Sequence, residues 1–260
     1  QLEINYWVDS AAERTIASGK LNLEVQARAK ASSELELPVK TTGSFKLKLY
    51  LFSTDRVIRM EKELPFSRVL PQPAVRGEGI FGVCTHFAQN KGDIDKNIPL
   101  AALAGANWIR DEMYWQGAER VKGQIKILPE WDRYVDTARK HDLRVLLILS
   151  YGNSFYDNGQ SPRTPEGMAA FTRYATTLVG HFKGRISHFE IWNEWNGGMG
   201  NRDRQTPEVY AKLLEIVYPA IKKANPQAVV IGGVTAGTDL GWIERVLKAG
   251  GGKLMDAVSI

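Results

Sequence analysis

The sequence predicts an α/β protein, part of a (β/α)8 TIM barrel over residues 76–260, preceded by a small antiparallel β-sandwich-like domain over residues 1–75. Three observations carry this reading. The first 75 residues alternate polar with apolar positions, the period of strands with one dry and one wet face. Residues 79–260 instead alternate short apolar runs with amphipathic helical segments. Between them, Gln72-Pro73-Ala74-Val75-Arg76-Gly77-Glu78-Gly79 is punctuated by proline and glycine and reads as a linker.

In the first part the alternation is explicit over Lys20–Ala29, Glu34–Leu37 and Phe45–Leu51. Four or five such strands, joined by turns such as Thr42-Gly43-Ser44, make a small antiparallel sheet or half-sandwich. In the second part, strands are expected at Ile80–His86, Asn107–Asp111, Arg144–Tyr151, Ile186–Trp192, Val229–Val234 and Asp256–Ile260. Thr164-Pro165-Glu166 and Thr206-Pro207-Glu208 each place a cap residue before a proline at the first helical position. Pro129-Glu130 opens a third helix, and Asp93 caps the first. The stripes Met168, Phe171, Ala175, Leu178, Phe182 and Tyr210, Leu213, Leu214, Val217, Ile221 follow the helical period.

Strands apolar on both faces, each followed by a covering helix, belong to parallel α/β folds. A doubly wound sheet and a closed barrel are the two candidates. No Gly-x-Gly-x-x-Gly turn follows the first strand, which puts the barrel ahead. A closed barrel takes eight units in roughly 250 residues, and about 185 follow position 75, enough for five units and a sixth strand. The chain is therefore expected to be the N-terminal portion of a longer polypeptide, with the rest of the barrel supplied by a longer chain or a second fragment.

Lys plus Arg number 34 against 29 Asp plus Glu, a net charge of +5 in 260 residues. The basic residues are scattered among acids, so no nucleic-acid partner is expected. The single cysteine, Cys84, excludes an intramolecular disulfide and is expected buried in its strand. No stretch approaches the roughly 20 apolar residues of a membrane span. The four histidines are far apart, none forms His-Glu-x-x-His, and no alternating calcium loop occurs, so neither metal nor cofactor is expected.

Chemistry in parallel α/β domains sits at the C-terminal ends of strands. Those ends bring forward His86, then Arg110 with Asp111 and Glu112, then Tyr151 with Asn153, and finally His188-Phe189-Glu190-Ile191-Trp192-Asn193-Glu194-Trp195-Asn196. The last segment is the richest, because carboxylates are expensive to bury unless paired. Indoles beside amides and acids suit a sugar, whose C–H face packs on a ring while its hydroxyls take directed hydrogen bonds. Alternation puts Glu190 and Trp192 on the side of Glu194, and Arg110 with Glu112 on one side of theirs. A Glu190–Arg110 pair inside the barrel would neutralise both, so Glu190 reads as structural.

The stretch Phe189–Asn196 resembles the end of the fourth barrel strand in clan A of the glycoside hydrolases, with the nearest likeness to family 39 and its relatives. Gly79–Ile260 fits that pattern in order, although Trp195 replaces the usual proline after the glutamate. The resemblance implies a retaining mechanism with Glu194 as acid/base, Asn193 on the sugar 2-hydroxyl and Arg110 beneath the nucleophile. The nucleophile itself would lie on the seventh strand, beyond residue 260. His86, Trp115, Tyr151, Asn153 and Trp195 complete the expected substrate-binding set, His86 being equally readable as a core residue. An oligo- or polysaccharide would be the substrate, and an enzyme of this kind is expected to be secreted, periplasmic or on the cell surface. The competing readings are a non-catalytic carbohydrate-binding or structural barrel and, more weakly, a nucleotide-using α/β protein, for which no phosphate-cradling loop is present.

Overall fold

The computed structural model describes residues 2–26, 28–53, 55, 57–70 and 79–260. The chain forms two compact units, Gln1–Pro71 and Gln72–Ile260. Of the linker expected over residues 72–79, only Gly79 falls within the described residues.

The first unit is one antiparallel sheet of β1 (Leu2–Ser10), β2 (Thr15–Leu23), β3 (Gly43–Phe52) and β4 (Ile58–Arg68), in the order β2-β1-β3-β4. Its ladders are fixed by cross-strand side-chain pairs, the unit of sheet stabilisation. Trp7 meets Tyr50 edge-on at 5.3 Å between centroids, and Phe45 stacks on Phe66 at 5.4 Å. Lys48 of β3 reaches Asp9 of β1 at 2.8 Å. Glu34–Leu37, expected as a strand, is not one. Its alternation is real, but a strand needs a partner ladder for its backbone groups, and none is formed there.

The second unit alternates strand and helix throughout. In order it runs β5 (Gly82–Cys84), α1 (Ile94–Leu103), β6 (Trp108–Tyr114), α2 (Trp115–Ala118), α3 (Pro129–Lys140), β7 (Arg144–Ser150), α4 (Pro165–His181), β8 (His188–Ile191), α5 (Pro207–Ala224), β9 (Val229–Gly232), α6 (Leu240–Lys248) and β10 (Ala257–Val258). The six strands pair in sequential order and every pairing is parallel. This is an incomplete (β/α) barrel, an open curled sheet with helices on its outer face.

The helices start where the sequence says. Thr164 accepts a hydrogen bond from the Gly167 amide at 3.1 Å ahead of Pro165, and the Asp93 carboxylate accepts from the Asp95 amide at 3.1 Å. Thr206 occupies the cap position of α5 without a side-chain bond to the helix backbone. Alternation divides each strand between the faces. Ile109 and Met113 of β6, Val145, Leu147 and Leu149 of β7, and Phe189 and Ile191 of β8 enter the core shared with the helices. Arg110 and Glu112, two residues apart on β6, and Glu190 on β8 take the other face.

Two sequence expectations need correction here. β6 continues to Tyr114, so Arg110 is a mid-strand residue and not a strand end. Cys84 is exposed rather than buried. It lies on the edge strand β5 in register with Arg110, hence on the inner face, which carries no helical cover.

The densest part of the core is aromatic. Phe171 of α4, with no exposed surface, touches the rings of Trp115, Tyr174 and Trp192 at 5.5–5.7 Å between centroids. The Tyr174 hydroxyl donates to the Met113 carbonyl, tying α4 to β6. Phe171→Ala should cost about 3–5 kcal/mol in the intact protein, read as a lower denaturant midpoint with an unchanged slope.

Candidate active site

Arg110 organises the inner face. Its Nε donates to Glu190 Oε2 at 2.7 Å and its Nη2 to Asn193 Oδ1 at 2.8 Å. Asn193 Nδ2 donates in turn to the Tyr151 hydroxyl at 2.6 Å, and Ser259 Oγ donates to Glu190 Oε1 at 2.5 Å. One network thus joins β6, β8, the residue after β7 and the segment after β10. Glu190 has no exposed surface, so its charge depends on this pairing. Burial works against the Arg110 charge, but the Glu190 carboxylate outweighs it and holds the guanidinium pKa above its ordinary value. The expected Arg110–Glu190 pair is therefore present, and its second arm fixes the Asn193 amide: the oxygen is occupied, and one N–H remains for a ligand.

Alternation stops after Ile191, because Trp192 and Glu194 have φ of 75° and 52°. Left-handed backbone at such residues costs on the order of 1–2 kcal/mol each and survives only where the surroundings impose it. The reversal turns Asn193, not Trp192, toward Arg110. Trp192, expected beside Glu190 and Glu194, packs instead into the helix-side core, where its Nε1 donates to the Gly200 carbonyl at 2.7 Å. Glu194 is left half-buried at the end of β8, and among the described residues its carboxylate accepts no hydrogen bond. A Cβ on Gly198 would stand 3.3 Å from Glu194 Oε2, so a glycine there keeps space beside the acid open.

Glu112 was legible only as a neighbour of Arg110, yet it is a buried acid of the same face. Burial raises its pKa, opposed in part by a hydrogen bond with Tyr114 and the nearby His86. Burial and the Glu112 carboxylate together hold the Tyr151 phenol above its usual value. His86 is exposed at the end of the first strand, its Nδ1 lying 3.0 Å from Gln89 Oε1. Asp111, on the opposite face, is structural: it accepts from Thr85 Oγ1 at 2.6 Å and from the Phe87 amide at 2.7 Å, clamping the loop that carries His86.

Three residues expected to meet substrate are buried, and each has an internal task. Trp115 is 1% exposed, donates from Nε1 to Glu119 Oε2 at 2.6 Å and stacks on Tyr156. Asn153 is 0% exposed; its Nδ2 donates to the Glu119 carbonyl at 2.9 Å and its Oδ1 accepts from the Phe155 amide at 3.0 Å. Trp195, also 0% exposed, sits between Trp192 and Tyr210 at ring distances of 5.1 and 5.0 Å. All three shape loops around the inner face without presenting a surface to it. His188 is half-buried with its ring edge-on to Trp108 at 4.7 Å, and burial lowers its pKa.

The arrangement offers one open carboxylate, an oriented amide beside it, and a partly open phenol. That combination can pass a proton to or from a ligand whose hydroxyls are held by Asn193 and Tyr151. Among the described residues, no three His, Cys, Asp or Glu side chains come together as metal ligands, and no helix is long and apolar enough to cross a membrane.

Residues 72–248 match the family described as Cellulase (glycosyl hydrolase family 5). The solved structure of a family 39 glycoside hydrolase from the gut symbiont Bacteroides cellulosilyticus WH2 is similar over 100% of this chain, with 26% identity and a TM-score of 0.77. The chain spans 51% of that protein. An exo-beta-1,4-mannosidase from Opitutaceae bacterium strain TAV5 is similar in fold over 59% of this chain and 31% of its own, at 19% identity and a TM-score of 0.52. A search of curated proteins finds no match.

Because burial raises the Glu112 pKa, the folded state prefers the protonated acid. The stability tied to that proton is fully present below the unfolded-state pKa and lost as pH rises through the folded-state value. Glu112→Gln mimics the protonated form, so the variant should match the wild type near pH 4 and exceed it at pH 7–8. Denaturant midpoints across that range check this; an offset independent of pH would contradict it.

Proposed function

Since the chain belongs to the Cellulase (glycosyl hydrolase family 5) family, we propose that it is a retaining glycoside hydrolase acting on an oligo- or polysaccharide, with Glu194 as the general acid/base. The observation that carries the reading is the pairing of an unengaged carboxylate at the end of β8 with an amide locked beside it by Arg110 and Tyr151. Retaining cleavage needs a proton donor for the departing oxygen and a second carboxylate about 5–5.5 Å away to attack the anomeric carbon. Glu194 gives its proton to the leaving oxygen; the glycosyl group passes to the attacking carboxylate. Glu194, now ionised, then takes a proton from the water that releases the sugar. The same reading puts the attacking carboxylate on a strand beyond Ile260 and leaves Glu190, already paired, out of the chemistry.

Asn193 has one N–H free to donate to the sugar hydroxyl next to the anomeric carbon, where charge develops in the transition state. Its oxygen is held by Arg110, so the amide cannot flip without losing that bond. Tyr151, half-buried and hydrogen-bonded to the same amide, borders the same space.

Glu194→Gln in the intact protein keeps the side-chain shape and removes the transferable proton. General acid catalysis is worth typically 10²- to 10⁴-fold, so kcat on a natural glycan should fall by about that factor. An activated aryl glycoside should suffer less in its first step, and added azide should restore turnover by attacking the glycosyl-enzyme without base assistance. Equal kcat for wild type and variant on the natural glycan would reject the assignment and favour a non-catalytic carbohydrate-binding barrel.

A further inference from the structure

The segment after Glu194 builds a feature the proton transfer does not use. Asn201 is buried, and its Nδ2 donates to the carbonyls of Trp195 and Gln205, both at 2.7 Å, while its Oδ1 accepts from the Gln205 amide at 2.6 Å. Asp203 pairs with Arg163 and accepts from Ser161 Oγ and from Gln205 Nε2, both at 3.1 Å. The charge of the only acid of residues 196–206 is thereby matched by Arg163, leaving neither Arg202 nor Arg204 paired with it. Arg202 and Arg204 remain exposed. Arg202 Nη2 contacts only the Met199 sulfur, at 3.0 Å, and the Arg204 side chain has no ion-pair partner among the described residues. Arg204 is moreover held at φ 52°, a conformation imposed on it by the loop rather than preferred by the residue.

These two arginines line a groove of about 600 Å³ whose other walls include Gly198, Gln205, Trp242 and Arg245. Arg245 is joined to Glu208 at 2.9 Å. Among the described residues no aspartate or glutamate lines the groove. Gly198 belongs to its wall, and a Cβ there would stand 3.3 Å from Glu194 Oε2, so the groove lies near the open carboxylate. Guanidinium groups are weakly hydrated and present paired donors that match a carboxylate or sulfate, and two unengaged ones on a braced loop are poised for such a group.

We propose that the groove lined by Arg202 and Arg204 is a subsite for an anionic sugar unit, one bearing a carboxylate or a sulfate, adjoining the bond at Glu194. The inference rests on the hydrolase reading for the position of that bond, but its recognition chemistry is tested without turnover. The intact Glu194→Gln protein is titrated calorimetrically with an oligogalacturonate, with its carboxyl-reduced neutral counterpart, and with a carrageenan oligosaccharide, which bears sulfate and no carboxylate. One of the acidic probes should bind better than the neutral one, and which one does so identifies the anion. Adding Arg202→Gln and Arg204→Gln should weaken that binding by about ten- to a hundredfold, whereas Lys212→Gln with Lys223→Gln, a charge-matched change on exposed positions of α5, should leave it unchanged. Equal binding of acidic and neutral probes, or equal losses in the two double variants, would overturn the proposal. Wild-type hydrolysis of an aryl glycoside, measured separately against Glu194→Gln, reports on the hydrolase reading alone.

Discussion

A single guanidinium sets the terms for the inner face of this barrel. Arg110 is the charged partner that makes the fully buried Glu190 tolerable, with Ser259 satisfying its second oxygen, because an isolated carboxylate in such surroundings is costly. The position of Arg110 follows from strand alternation on β6 and that of Glu190 from alternation on β8; the parallel register through β7 sets Glu190 level with Glu112, and the long Arg110 side chain reaches it from two residues earlier on β6. Having one arm committed to Glu190, the fork of donors leaves another at a fixed angle, and Asn193 takes it. The neutralisation of a core charge and the aiming of the Asn193 amide are thus one arrangement.

The turn after β8 exploits that fixed point. With Asn193 anchored, the residues on either side are forced through left-handed backbone, and the side chains separate: Trp192 goes to the core and Glu194 stays half-open. The cost of that conformation is carried by the indoles behind it. Trp192 and Trp195 lie 5.1 Å apart, with Phe171 and Tyr210 behind them. Together they fill the space under the turn so completely that both indoles are almost without exposed surface. A strained turn on a rigid floor holds an acid in place before any ligand arrives.

Much of this was legible in the sequence where the physics is local. Thr164-Pro165 announces a helix because a cap and a fixed φ are properties of adjacent residues, and the Arg110–Glu190 pair follows from period two plus parallel register. The side taken by Trp192 differs from the expected one because nothing in Trp-Asn-Glu-Trp announces a reversal of the backbone; the tertiary anchor at Asn193 imposes it. The burial of Trp115 and Asn153 is illegible for a related reason: their partner Glu119 is a buried acid reached only once the loops fold together. Cys84 looked internal because an apolar run does not say which face of an edge strand is covered. Glu34–Leu37 alternates but finds no partner strand.

The aromatic floor also has an optical meaning. From Tyr156 through Trp115, Tyr174, Phe171, Trp192, Trp195 and Tyr210 to Trp242, neighbouring rings lie 5.0–6.0 Å apart in fixed relative orientations. Near-ultraviolet circular dichroism depends on such asymmetric, immobile packing and disappears when it loosens, even if helices and strands persist. The site therefore carries its own chromophore array, and the protein's near-ultraviolet spectrum is in large part a spectrum of the surface on which Glu194 rests.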